Sequence, residues 1–183
     1  MADSSEFESI CPYNDAEAVE ALNKVANHPA VLAISEYLFP DEPITFLRNA
    51  LKSVHNIDEF QEIVMNKAVS WVMDHTIHNF SYDGISYIKE LKGKFLAMSN
   101  HRDIILDPAI TQQVLFRNGI PMTEICVGDN LIKQSKTVEY LLRSNRMIRV
   151  IRGISARELY LSSQVLSKYI RQTITSGKSS LSG

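Results

Sequence analysis

The order of hydrophobic and polar positions divides the chain into two parts of different texture. From Asp15 to about residue 80, apolar residues recur every three to four positions, which is the period of an amphipathic helix. The longest run begins after Asn56, and its apolar stripe is wide enough to be buried on more than one side: Phe60, Ile63, Val64, Ala68, Trp71 and Val72. We predict three or four helices here, preceded by a loose tail over residues 1–13.

Strand-like and helix-like runs alternate after Gly84. This alternation predicts a parallel α/β sheet with flanking helices, so we divide the chain into an N-terminal helical region (residues 1–84) and a partial α/β domain (residues 85–183). Residues 176–183 are predicted as a terminal tail. The predicted strands are 95–98, 124–127 and 147–151, and the predicted helices are 107–118, 131–144 and 155–175.

Three polar residues follow the three predicted strands. His101 comes after the first, Asp129 after the second and Arg152 after the third. Because functional groups gather beyond the carboxyl ends of parallel strands, we expect all three at one edge of the sheet.

Composition restricts the function classes. The 183 residues are 45% hydrophobic, and 19 Lys and Arg against 21 Asp and Glu give a formal charge of −2. This balance predicts no nucleic-acid partner, so any recognition of phosphate must be local. Two distant cysteines favour a reducing compartment. The polar N-terminus and the absence of a membrane-length apolar run predict a cytoplasmic protein.

The densest group of reactive side chains lies between Ser99 and Pro108. A neutral histidine can accept a proton from an alcohol, and a carboxylate on its other ring nitrogen orients the ring. His101 could pair with Asp103 or Asp107 only in a non-helical turn, because helical neighbours lie three or four positions apart. The simpler interpretation is that Asp107 caps the helix that begins there, with Pro108 at its first position.

The stretch from Ser99 to Pro108, which reads Ser-Asn-His-Arg-Asp-Ile-Ile-Leu-Asp-Pro, resembles the first block of the glycerolipid acyltransferases. These are the glycerol-3-phosphate and 1-acylglycerol-3-phosphate acyltransferases, and the resemblance is strongest to a bacterial branch. The stretch from Met147 to Gly153 is similar to the family's second block, an apolar strand ending in an arginine that contacts phosphate. Residues 128–131 are also similar to that branch.

The resemblance implies acyl transfer from a thioester, acyl-CoA or acyl carrier protein, to a glycerol-phosphate or lysophosphatidate hydroxyl. His101 would deprotonate the hydroxyl, and Asp107, or alternatively Asp103, would orient it. Arg152, with Arg149 or Arg102, would bind the acceptor's phosphate. The chemistry requires no metal or cofactor. Further expected partners are the inner face of the membrane, contacted peripherally, and a second copy of the chain.

Two departures from the family pattern change the expectation. Five residues separate His101 from Asp107, where the family has four, and the third block, Glu-Gly-x-x-Arg-Ser, is absent. We therefore predict an N-terminal portion of such an enzyme with impaired activity. The rival hypothesis is a non-catalytic helical interaction module with a small α/β appendage.

Overall fold

The computed structural model describes residues 4–91, 93–100, 102–152 and 155–182. It confirms the predicted fold class: the protein is α/β, with a parallel sheet and flanking helices. The sheet order is β1-β4-β2-β3, and every pair of neighbouring strands is parallel. The strands are β1 (Leu96–Met98), β2 (Glu124–Gly128), β3 (Met147–Val150) and β4 (Ser180–Ser182).

Helices account for most of the remaining described residues. In chain order they are α1 (Asp15–Ala26), α2 (Val31–Leu38), α3 (Phe46–Ser53), α4 (Ile57–Phe60), α5 (Asn66–Thr76), α6 (Ile85–Glu90), α7 (Leu106–Arg117), α8 (Asp129–Ile132), α9 (Lys136–Ser144) and α10 (Ala156–Thr175). A short 3₁₀ turn (Ser4–Phe7) precedes α1.

The helical region has its own apolar core. The Asn14 side chain accepts from the Glu17 N–H, and the Glu17 carboxylate accepts from the Asn14 N–H, so a capping box begins α1. Leu22, Leu51 and Phe60 are almost fully buried in the core that these helices share. α1 packs against α3 within the region and against α9 beyond it. The division of the chain after residue 84 stays a prediction.

A π-helical turn (Gln61–Met65) joins α4 to α5 without a break. Such turns displace side chains from the regular helical stripe and often occur at functional sites. Gln61 lies in this turn and is buried, and its Nε2 donates to Oδ1 of Asn145 over 3.1 Å. The turn therefore connects the helical region to the residues that precede β3.

The prediction of a terminal tail over residues 176–183 is wrong, because this segment supplies β4. The strand is inserted between β1 and β2, where the Ser180 N–H donates to the Phe95 carbonyl and the Glu124 N–H donates to the Ser179 carbonyl. Leu181 is buried there. Serines flank this single apolar residue, so the segment lacks the apolar pattern by which sequence reveals a strand.

The prediction of a loose N-terminal tail is also wrong within the described residues. Phe7 and Ile10 are buried, and the Ile10 carbonyl accepts from the Arg149 N–H of β3 over 2.9 Å. The Arg143 guanidinium donates to the carbonyls of Glu8 and Cys11. The segment thus covers the outer edge of β3, which the sheet otherwise leaves unpaired.

The predicted helix over residues 131–144 is divided into α8 and α9. The Ser135 side chain accepts from the Val138 N–H over 3.2 Å, so the serine caps a new helix where the periodicity continues unbroken. Within the described part of the chain, no helix combines the length and hydropathy needed to cross a bilayer.

Candidate active site

Residues 99, 100 and 102–105 follow β1 as a loop at the carboxyl edge of the sheet. His101, the predicted catalytic base, lies outside the described residues. Its predicted carboxylate partners, Asp103 and Asp107, are both described, and both accept hydrogen bonds from the main chain of this loop.

Asp107 folds back over the loop. Its Oδ2 accepts from the N–H of Arg102 over 2.6 Å and from the N–H of Asp103 over 3.1 Å. The prediction that Asp107 caps α7 is wrong, because the helix begins at Leu106 and Asp107 lies in its first turn. Its carboxylate instead stabilises the chain immediately after His101.

Asp103, rather than Asp107, accepts main-chain hydrogen bonds at the start of α7. Its Oδ1 accepts from the N–H groups of Ile105 and Leu106, each over 2.8 Å. These bonds, first that from Leu106, lower the pKa of the Asp103 carboxyl from its ordinary value. The choice between Asp107 and Asp103 as the partner of His101 stays open, and the two carboxylates now have distinct structural tasks.

A second group of polar residues lies where β2 and β3 end. Asp129 begins α8 directly after β2 and is buried, with 7% of its surface exposed. Its Oδ2 lies 2.6 Å from Nζ of Lys133 and 3.9 Å from Nη2 of Arg149, and its carboxylate accepts from the Arg152 N–H. Lys133 is the largest cause of a lowered pKa at Asp129, and the Arg152 N–H and Arg149 act in the same direction. Asp129 and Arg152 thus lie at the same edge of the sheet, as predicted, and His101, the third residue of that prediction, lies outside the described residues.

Gly128 brings Arg152 close to the end of β2. A Cβ at this position would lie 3.6 Å from both Nε and Nη2 of Arg152, and 2.5 Å from Oδ1 of Asn130. The second distance is shorter than real Cβ contacts, so a larger residue would displace the Asn130 side chain. A residue without a side chain therefore leaves room for both neighbours at the strand end.

Arg102, the third predicted phosphate ligand, is exposed on the loop after β1. β4 and β2 separate β1 from β3 in the sheet, which places the two outer strands about 14 Å apart at the usual strand spacing. No contact among the described residues joins Arg102 to Arg149 or Arg152. The structure thus brings two of the three predicted arginines to one carboxylate.

An apolar cavity of about 370 Å³ extends along β2, between the sheet and the helices that cover it. Ile104, Ile105 and Pro108, which follow His101 in the sequence, line it at the carboxyl edge. Met122 and Asn145 line it near the amino ends of β2 and β3. Its volume lies within the range of small-molecule sites, and its walls are suited to an aliphatic group.

Comparison with known proteins does not identify the chain. No family model matches it, and no curated protein matches it. The acyltransferase resemblance therefore depends on the residues quoted for it, above all the stretch from Ser99 to Pro108. Among the described residues, no cluster of three or more His, Cys, Asp and Glu side chains is arranged to bind a metal ion.

Two features of the site were not predicted from the sequence: the contact of Lys133 with Asp129 and the apolar cavity. Lys133 lies four positions after Asp129, which is the spacing of an ion pair across one helical turn, so this signal was present. The cavity had no comparable signal, because its walls come from the π-helical turn, α5, α7, α9 and the sheet. Within its own helix or strand, each wall residue occupies a position that is indistinguishable in sequence from an ordinary core position.

Proposed function

We propose that the chain is an acyltransferase that moves a fatty acyl group from a thioester donor to a hydroxyl of glycerol-3-phosphate or lysophosphatidate. The observation that carries the proposal is the apolar cavity, because Ile104, Ile105 and Pro108 of the stretch that resembles the first acyltransferase block line it. The same sheet edge holds Arg149 and Arg152. An aliphatic chain and a phosphate therefore both have suited surroundings at this edge of the sheet.

In the proposed mechanism, His101 accepts the proton of the acceptor hydroxyl. The hydroxyl oxygen attacks the thioester carbonyl, a new C–O bond forms, the C–S bond breaks, and the thiol leaves with the proton that His101 returns. Asp107, or alternatively Asp103, orients the imidazole. Arg152 and Arg149 bind the phosphate, since a guanidinium offers two parallel donors to phosphate oxygens.

The test is a single-turnover measurement, with the protein in excess over palmitoyl-CoA or palmitoyl acyl carrier protein, in the presence of either acceptor. We expect acylated acceptor to form, and we expect His101→Ala to slow its formation by about 100-fold or more, the usual contribution of a general base. His78→Ala is the matched control, because His78 is exposed on the segment after α5. Its rate should equal that of the unaltered chain.

Two outcomes would contradict the proposal in different ways. An unchanged rate in His101→Ala would exclude this residue as the base and leave the reaction class intact. No product with either donor and either acceptor would show that this chain does not carry out the proposed reaction and would favour the non-catalytic interaction module. In that case, the cavity would serve a different apolar ligand.

A further inference from the structure

Asp129 is the most deeply buried acidic residue at the carboxyl edge of the described sheet, and the mechanism above gives it no task. Its carboxylate contacts the side chain of Lys133 directly after α8, a side chain of β3 and the main chain of the turn after β3. One side chain therefore connects three separate segments at the end where phosphate recognition was proposed. A carboxylate is an unexpected group there, since by charge alone it repels an anion.

We propose that Asp129 is a positioning residue that holds Arg149, Arg152 and Lys133 together as a preformed oxyanion site. The inference rests on the proposed function only for the name of the ligand, the phosphate of the acceptor. The chemistry that it assigns is binding of a phosphate dianion by two guanidinium groups and one ammonium group. Lys133 is a new member of this site.

The charges of the group agree with a dianionic ligand. Asp129 balances one of the three positive charges, so two remain, and a phosphate monoester carries about −1.5 to −2 at neutral pH. The Lys133 side chain is more than half exposed and can reach a ligand from the solvent side. Arg149 is mostly buried, so its guanidinium is held close to one orientation.

The contacts also order the site before a ligand arrives. Arg152 lies in the turn between β3 and α10, and its N–H is held by Asp129 while its guanidinium lies close to Gly128. Long cationic side chains lose conformational entropy when a ligand fixes them. A carboxylate that fixes the main chain of one cation and attracts two others reduces this loss, which strengthens binding.

Positioning and simple charge balance predict opposite results for Asp129→Asn. If Asp129 only neutralises positive charge, its removal makes the site more positive, and an anion binds more tightly. If Asp129 positions the cations, its removal lets them separate, and the anion binds more weakly. The sign of the change in affinity therefore distinguishes the two roles.

The experiment is calorimetric titration of the full chain with inorganic phosphate and with glycerol-3-phosphate. We expect Asp129→Asn to weaken both ligands by about tenfold, the usual loss of one hydrogen bond to a charged group. The matched control is Asp58→Asn, because Asp58 also pairs with an arginine, Arg146, over 2.7 Å, but lies at the opposite edge of the sheet. This control should bind both ligands like the unaltered chain.

A second comparison keeps the proposal testable if Asp129→Asn does not fold. Lys133→Gln removes an exposed member of the site and should weaken phosphate binding by several fold, whereas Lys136→Gln, an exposed lysine one helix later, should not. If Lys133→Gln and Lys136→Gln bind phosphate with equal affinity, Lys133 is not part of the site. If Asp129→Asn also fails to fold, this result contradicts the proposed site as a whole.

A double-substitution cycle tests whether Asp129 acts through Arg152. In the Arg152→Gln background, Asp129→Asn should weaken phosphate binding less than it does in the unaltered chain, because the residue that it positions is already altered. Equal effects in both backgrounds, tighter binding in Asp129→Asn, or no phosphate binding by the unaltered chain would each overturn the inference. Phosphate binding without acyl transfer would overturn the proposed function alone.

Discussion

The helical region and the sheet region bury apolar side chains to different extents. The largest described core cluster consists of twelve buried residues between Leu22 and Ala68, to which the sheet region adds only partly buried side chains of α9. Buried apolar residues of the sheet region are fewer: Leu115, Ile125, Ile132, Ile148 and Leu181. Along the twenty residues of α10, the described burial is limited to Thr173.

This difference indicates that the helical region contributes mainly to stability and the sheet region mainly to binding. A dense core stabilises a fold but leaves no room for a ligand, because protein interiors are close-packed. The sheet region keeps an open cavity, a buried carboxylate and several exposed apolar side chains, each of which lowers its stability relative to a filled core. We expect the helical region to supply much of the free energy of unfolding, and the sheet edge to supply the binding groups.

The largest effect is expected from Phe60→Ala. Phe60 is fully buried in the helical core, so its truncation should reduce the free energy of unfolding by about 3–5 kcal/mol. Urea denaturation followed by far-UV circular dichroism measures this change. Phe80→Ala is the control, because Phe80 is 41% exposed and its loss should cost much less. Similar losses in the two variants would contradict the assignment of the main core.

An intermediate effect is expected from Leu181→Ala in β4. Leu181 is buried in a strand that pairs on both sides, and we expect a loss of about 2–3 kcal/mol, at the low end for such truncations because the strand is short. The same denaturation measurement applies. Leu161→Ala on the exposed face of α10 should change stability by less than about 0.5 kcal/mol. An equally small effect at Leu181 would show that residues 180–182 do not form a structural strand.

The smallest effect concerns pH and Asp129. Its folded-state pKa lies below the unfolded value of about 3.9, so the charged carboxylate stabilises the fold above that pH, and this contribution is lost as pH falls through the folded-state pKa. The difference in unfolding free energy between the unaltered chain and Asp129→Asn, on the order of 1 kcal/mol, should hold near neutral pH and shrink below pH 4. A constant difference down to pH 3 would contradict the ion-paired assignment.

Periodic elements were predictable because each one carries its own signal. The stripe through Phe60 and Val64 indicated a helix, and in the structure this helix includes a π-helical turn between α4 and α5. The sheet edge was predictable in part, since Asp129 and Arg152 each directly follow a strand. The break at Ser135 was not predictable, because serines also occur inside helices. The hydrogen bond that Ser135 accepts from the Val138 N–H, which makes it a cap, is visible only in the structure.

Sequence alone predicted most of the helices, three of the four strands and the parallel α/β class. It also indicated the stretch from Ser99 to Pro108 as the centre of the candidate chemistry, which stays a prediction. These features depend on residues near one another in the chain, whose periodicity and capping preferences act locally. Tertiary structure decided that Ser180 to Ser182 form a strand, that Asp103 accepts from the main chain at the start of α7, and that Asp129 joins Lys133, Arg149 and Arg152. Tertiary structure also forms the apolar cavity, by bringing together residues from several elements. Pairing partners and cavities depend on residues far apart in sequence, so no local pattern specifies them.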